Sequence, residues 1–328
     1  MAVVFEFEVG KGFHFANAFA SRFNVPVENE RVYLPQELGD GFIQEVYLDN
    51  GLGLCIHNYT LKHNLVLKRL ATGSTTALTM KFDCRRVPVK SNQGLQNSLF
   101  ANSKGCEVEF GTSNFFAELT VPAGQAILFL VVTSLRQNLI DILKLNPDEH
   151  PITGMLNDNR SFVMQESLTQ EMERTLRQLS QINQYTKLPE LLYQTKALEL
   201  IYLLITKLLT RANSIAVTVN PPDAEKIYEV RAAVLKDVSI PPQLPELAAE
   251  AGMSLTKMKQ LFNQIFGKSI YNYYQAGRMD EAAQLLNKLS VSETGYKVGF
   301  TNLSHFSRLF EKYHQMKPKR YKDTLNVG

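Results

Sequence analysis

Two stretches near the carboxyl end set polar and cationic side chains at helical spacing. Thr256, Lys257, Lys259, Gln260 and Asn263 fall on one side of a helix whose other side is Met258, Leu261, Phe262 and Ile265. Ser304, Ser307, Arg308 and Lys312, with Asn302 and Leu303 just before them, fall likewise opposite Phe306, Leu309, Phe310 and Tyr313. The chemistry open to such faces is recognition of a polyanion. Lys and Arg reach phosphates or guanine, while Asn, Gln, Ser and Thr reach bases or phosphates. A DNA major groove admits one helix and displays a readable donor and acceptor pattern. Solvation alone explains many cationic helix faces, so the elements that hold these residues decide between the two readings.

Each face is preceded by a short helix and a turn. In the first segment Pro245 suits an opening turn, Leu247, Ala248 and Ala251 can pack inward, Gly252 supplies the turn, Ser254 caps the next helix and Gly267 stops it. In the second, Ser290 and Glu293 have the spacing of a capping box, Gly299 is the turn, and Thr301 or Asn302 caps the second helix. Ser269 to Asn287 reads as one connecting helix, in which Gly277 costs roughly 1 kcal/mol against Ala. The two second helices start 47 residues apart, at Ser254 and Thr301. A connecting helix of about 18 residues spans about 27 Å, against about 34 Å between successive grooves on one face of a duplex. One chain is therefore expected to fill two successive major grooves of double-stranded DNA, with base reading first on Lys259 and Gln260 and then on Ser304 and Arg308.

Charge supports this placement. The chain of 328 residues carries a net +3, yet from Ala251 onward 12 Lys and Arg stand against 5 Asp and Glu, so a +7 tail succeeds a −4 remainder. A hydrophobic fraction of 45% with 20% charged residues excludes global disorder, and the length suits two domains. The apolar run Ala126 to Thr133 is too short for a bilayer, which needs about 20 residues, so no membrane partner is expected. The amino terminus lacks a basic stretch and a cleavage site, and Cys55, Cys84 and Cys106 form an odd, widely spaced set. Both features point to the reducing cytoplasm.

The front of the chain reads as β structure. Leu78, Met80 and Phe82 alternate with Thr79, Lys81 and Asp83, and Phe115, Ala117, Leu119 and Val121 with Phe116, Glu118 and Thr120, as in an antiparallel barrel or sandwich. Turns are expected at Asp49-Asn50-Gly51 and Gly111-Thr112-Ser113-Asn114. Ala126 to Val132, apolar on both faces, should be a central strand. Ser134 reads as the N-cap of a helix carrying Leu135, Leu139, Ile142 and Leu143. Beyond Pro147 and Pro151 two helical stripes are expected without strands: Leu168, Met172, Leu176, Leu179 and Ile182, then Leu191 to Leu208. The first is a candidate dimer seam, though such stripes more often pack on their own domain. The expected layout is thus α+β: residues 1–150 β-rich, 151–212 a helix pair for dimerisation or packing, 213–223 a linker with Asn220-Pro221-Pro222, and 224–328 all-α, opening on a helix near Ala224–Lys236.

Enzyme signatures are poor. A metal-dependent barrel needs closely spaced histidines with a carboxylate, whereas His57 and His63 are six apart and His14 and His150 are remote. Exposed or satisfied histidines are the better reading. Cys84 beside Arg85 and Arg86 has no His nearby as base and reads as a small buried or edge residue. Gly51-x-Gly53 and Gly10-x-Gly12 lack a subsequent helix and read as turn glycines. Phe5, Phe7, Phe13, Phe15, Phe19 and Phe23 suit either a core or an apolar ligand cavity, a core being commoner. A metal enzyme with a helical interaction tail is the alternative to a DNA-binding protein, and a helix-mediated protein adaptor a further one.

The stretch Val298-Gly-Phe-Thr-Asn-Leu-Ser-His-Phe-Ser-Arg-Leu-Phe-Glu-Lys-Tyr313, with Lys317-Pro318 and Tyr321 beyond, resembles the AraC/XylS family of bacterial transcription regulators, and Arg278 to Leu286 is similar to that family's connecting helix. The resemblance covers about Ile227 to Lys322. It implies a seven-helix DNA-binding unit with a role at promoters, RNA polymerase as a further candidate partner, a homodimer, and a cupin-like front domain that binds a small-molecule effector. The front also faintly resembles siderophore-responsive members. No cofactor and no metal are expected. Departures are Thr294-Gly295, where the family usually has Ile-Ala, and Gln315, where it usually has Gly; a softer first helix in the second motif is expected.

Overall fold

The computed structural model describes residues 2–9, 13–70, 75–84, 107–144, 151–211 and 218–325. Cys106, His150, Arg85, Arg86, Gly10, Gly12 and Pro147 lie outside the described residues, as do 212–217 of the expected linker. The chain divides into two compact units, Met1–Ala224 and Glu225–Gly328.

In the first unit the elements run β1 (Val3–Glu8), α1 (Phe15–Phe23), β2 (Arg31–Tyr33), β3 (Gly39–Tyr47), β4 (Leu52–Leu61), β5 (Leu65–Leu70), β6 (Ala77–Asp83), β7 (Glu107–Thr112), β8 (Ala117–Val121), β9 (Ala126–Leu135), α2 (Arg136–Leu143), α3 (Pro151–Asn157), β10 (Val163–Ser167), α4 (Gln170–Ser180) and α5 (Pro189–Leu209). Seven strands form one sheet in the order β10-β7-β6-β9-β4-β3-β2, and three form a second, β1-β5-β8. The apolar run at Ala126 is the middle strand of the larger sheet, bonded to β4 and β6. Apart from β1, which runs parallel to β5, the pairings are antiparallel. Parallel neighbours need a long connection, and the chain from α1 through β4 provides it.

Period-two alternation gives the large sheet two distinct faces. Leu54, Ile56, Leu78, Met80, Phe82, Val108, Phe110, Leu130 and Val132 point one way and pack with Met172, Leu176 and Leu179 of α4 and Ala197, Leu200, Ile201 and Leu204 of α5 in one buried cluster. The alternate residues, including Thr79, Lys81, Cys55, His57 and Phe129, point toward the three-stranded sheet. The alternating polar residues of β6 therefore do not mark an outer surface.

Several expectations are corrected. Ser134 lies within β9, and Leu135 occupies the cap position of α2 without a side-chain bond, because pairing with β4 and β6 carries the strand past Ser134. The segment after Pro151 is not purely helical: Val163–Ser167 adds β10 to the edge of the sheet against β7. It is anchored where Arg211 pairs with Glu166 at 2.5 Å. The turn after β7 falls at Ser113–Phe115, later than expected. The stripe Met172, Leu176, Leu179 and Ile182 is buried in its own unit and is not a free seam. The helix expected near Ala224 begins at Pro221, since proline is favoured in a first turn.

The second unit is helical throughout its described residues: the remainder of α6 (Pro221–Lys236), then α7 (Leu244–Glu250), α8 (Leu255–Phe266), α9 (Ile270–Leu285), α10 (Val291–Lys297), α11 (Leu303–His314) and α12 (Pro318–Leu325). The connecting helix α9 serves both halves. Its Tyr273 ring meets Phe262 and Phe266 of α8, and Met279, Ala282 and Ala283 join Val298, Phe300, Phe306 and Phe310 in the other cluster. Gly277 brings α9 close to Leu235, whose side chain would have to shift to admit a Cβ.

Candidate nucleic-acid interface

The cationic faces are built by ordinary helix-end chemistry. The Ser254 hydroxyl accepts the Lys257 N–H at 3.3 Å, Gly252 takes a left-handed φ of 59°, and Gly267 closes α8 at φ 65°. α8 buries Met258, Leu261, Phe262 and Ile265, as its spacing predicts, and also Gln264 and Phe266. Thr256, Lys257, Lys259 and Gln260 are exposed and Asn263 is half-buried.

In the second motif the capping box forms: Ser290 Oγ accepts the Glu293 N–H at 3.2 Å, and the Glu293 carboxylate accepts the Ser290 N–H at 2.8 Å. Gly299, at φ 82°, abuts the Ser239 carbonyl so closely that a Cβ would collide with it. α11 buries Phe306 and Phe310 and leaves Leu309 and Tyr313 half-buried. Ser304, Arg308 and Lys312 are exposed and Ser307 is half-buried. Asn302 is exposed, but its Oδ1 accepts the His305 N–H at 3.0 Å. It is therefore the N-cap of α11, with only its amide NH₂ left for other work.

Two departures noted in the sequence have local causes. Gly295 is buried where a Cβ would press on Leu303 and Phe306, so α10 and α11 approach closely. Gln315 ends α11 in the left-handed region at φ 56°, where glycine is the easier residue.

Charge counting missed that two arginines of this unit turn inward. Arg231 is only 2% exposed, donates to the Tyr273 hydroxyl at 2.5 Å and lies over the Phe266 ring. Arg278 donates to the Val298 carbonyl at 2.5 Å and covers the Phe300 ring at 3.7 Å; burial pulls its pKa down. Both join one helix to another. The aromatic residues at helical spacing around them were the only available signal.

Residues 247–324 match a family profile described as a helix-turn-helix domain. This segment is an AraC-type helix-turn-helix domain. An uncharacterized HTH-type transcriptional regulator in the cgkA 5′ region of Pseudoalteromonas carrageenovora is 34% identical over 80 residues, 24% of this chain and 48% of its own length. The transcriptional activator NphR of a Rhodococcus species is 35% identical over 109 residues, 32% of each chain. The chain thus spans half or less of the length of these curated relatives. Of the solved structures, an AraC-type transcriptional regulator from Chromobacterium violaceum overlays on 32% of this chain and 96% of its own, at 24% identity and a TM-score of 0.30.

Upstream of the AraC-type domain, the first unit holds a partly open cavity of about 430 Å³ between its two sheets. Phe7, Phe13 and Phe15 reach it, whereas Phe5 and Phe19 are packed in the core, so the aromatic start serves both purposes. His57 lines it too. It is 2% exposed, stacks on Phe129 at 3.9 Å, and sits 3.3 Å from Cys55 Sγ and 3.5 Å from the Tyr59 hydroxyl. Burial lowers its pKa to about 3, against a weaker opposing pull from Asp83. His57 is therefore neutral near pH 7 and is satisfied as a core residue. Cys55 is a buried free thiol whose pKa burial raises. His63 and His14 are exposed. Among the described residues no three His, Cys, Asp or Glu are placed to hold a metal ion, and no helix is long and apolar enough to cross a membrane.

Proposed function

We propose that the chain is a sequence-specific transcription regulator whose AraC-type domain reads double-stranded DNA through α8 and α11. The observation that carries the reading is that both helices, each N-capped after a short helix and a tight glycine turn, present polar, cationic outer faces. Lys259, Gln260, Ser304 and Arg308 are assigned to base edges. Thr256, Lys257, Asn263, Ser307 and Lys312 are assigned to phosphates and neighbouring bases, and Asn302 to the start of α11 with at most its amide toward DNA. Such a protein acts in the cytoplasm and is assigned no reaction of its own.

The first unit is assigned two tasks: holding a small-molecule effector in its cavity, and pairing with a second copy. The pairing reading rests on α5. One face of that helix is buried, while Leu191 and Tyr202 are 58% and 65% exposed on the other, and Leu188, 71% exposed, stands just before the helix as its N-cap. With half-buried Leu198 between them, Leu191 and Tyr202 lie at seven- and four-residue steps, the spacing of a helix seam. A dimer so formed would set paired helix-turn-helix units on paired half-sites. Effector binding then alters operator affinity by favouring one of two states of the protein, a linkage that acts equally in both directions.

The test selects duplexes from a random pool with the full chain and measures binding at one stated salt concentration. A recurrent motif in two segments about one duplex turn apart is expected. Lys259→Ala and Arg308→Ala should each weaken binding to it by about 1–3 kcal/mol with circular dichroism unchanged. No enrichment, or two folded variants that bind as the parent does, would refute the reading.

A further inference from the structure

The cavity also carries information about what it holds, given the effector-binding reading on which this step rests. Its wall is mostly carbon. Phe7 and Phe13 stack with ring centroids 5.7 Å apart and planes 10° apart. His57 and Phe129 stack at 3.9 Å and 14°. Phe15 stands edge-on to both Phe7 and His57 at 5.0 Å. Two flat ring pairs are thus bridged by a fifth ring, Phe15, and a planar guest gains most from offset or edge contact with such surfaces.

The carboxylates and the Lys and Arg cations of the wall cancel. Glu45 and Glu109 are matched by Arg69 and Lys81, the buried His57 is neutral, and the other lining histidine, His14, is solvent-exposed with its ring edge-on to Tyr47. Each charge also has work within the protein. Both Glu45 oxygens accept main-chain N–H groups at the start of α1, from Phe15 at 2.8 Å and Ala16 at 3.0 Å. Arg69 donates to the Phe115 carbonyl and to Thr79 Oγ1 at 3.3 Å, tying the small sheet to the large one. Lys81 and Glu109 face each other across the β6–β7 register. A guest with a net charge would leave water for a site that offers no surplus counter-charge, which is strongly unfavourable. A polyol would lose hydration along the ring-lined side without replacing it.

We propose that the effector is an uncharged, ring-bearing, predominantly apolar small molecule seated between the two sheets of the first unit.

The test uses two fluorescent probes with the same aromatic framework, N-phenyl-1-naphthylamine, which is uncharged, and 8-anilinonaphthalene-1-sulfonate, an anion. The chain has no Trp, so probe emission is read free of indole fluorescence. The full-length protein should take up one uncharged probe per chain at least about tenfold more tightly than the sulfonate, a difference of about 1.4 kcal/mol. Glucose in the millimolar range should not displace it. Val131→Phe and Ala117→Leu each add volume to the wall; either variant that keeps its circular dichroism should bind the uncharged probe about tenfold more weakly. Glu109→Gln, which removes one carboxylate from the wall, should narrow the gap between the probes.

Equal or tighter sulfonate binding that a filled cavity removes would overturn the uncharged class and leave the effector-binding reading standing, as would displacement by glucose. Probe binding unaffected by either folded filling variant would place the probe elsewhere and overturn the assignment. Failure of the folded parent to bind either probe would overturn the effector-binding reading as well.

Discussion

At the scale of single residues, the buried polar atoms make the sharpest predictions. Thr294 of α10 is fully buried, and its hydroxyl has no hydrogen-bond partner. An unsatisfied buried hydroxyl costs about 1–3 kcal/mol, and exchange for an apolar group of the same shape recovers part of that. Thr294→Val should therefore stabilise the second unit by about 1 kcal/mol in a urea titration. His57 makes a pH prediction. Its pKa is about 3 in the folded protein and near 6.5 when exposed, so between those values the unfolded chain binds the extra proton. Native stability is then complete above about pH 6.5 and declines as the pH falls toward 3. The loss is about 2 kcal/mol between pH 6.5 and pH 5. His57→Phe, which keeps the stack on Phe129, should flatten this dependence. An unchanged slope in a folded variant would exclude His57 as its source. The polar faces of α8 and α11 were legible residue by residue because helical periodicity separates them from the core. Arg231 and Arg278 were not, because a residue's charge does not say whether its helix turns it inward.

At the scale of elements, glycine and cap signals located both helix-turn-helix segments closely. These signals are local: a left-handed turn or a hydroxyl on a free N–H needs nothing from distant parts of the chain. Sheet membership is not local. β10 is a five-residue strand whose identity comes from β7, far upstream, and β1 owes its parallel alignment to β5. Neither pairing leaves a periodic trace long enough to read. The helical stripes show the same division. Both were legible as amphipathic, yet only packing reveals that α4 spends its stripe inside the unit while α5 leaves Leu191 and Tyr202 exposed outside it. That face yields a prediction about assembly. Leu191→Glu puts a charge in the proposed seam, where burial of an unpaired carboxylate is strongly unfavourable. Light scattering should show the parent as a dimer and the variant shifted to monomer, with its thermal stability kept because Leu191 lies outside the unit's core. A monomeric parent would remove α5 from the assembly reading.

At the scale of the whole molecule, the chain is two cores with different chemistry: a sheet sandwich around an apolar cavity, and a helical unit carrying the cationic faces. A molecule with two cores does not meet the conditions for a single all-or-none transition. Calorimetry should resolve two, one accompanied by loss of the β-sheet signal and the other by loss of helix alone. A ligand stabilises only what it binds in the native state, by about 2.7 kcal/mol at a hundred times its dissociation constant. An uncharged aromatic ligand in the cavity should therefore raise the sheet transition, and a selected duplex should raise the helical one. Coupling between them then appears as a second, smaller displacement of the other transition. Thermodynamic reciprocity requires that displacement to be the same free energy whichever ligand is added first. Ligands that each move their own transition and never the other would leave two binding units on one chain, and the regulatory linkage between cavity and promoter would have to be abandoned.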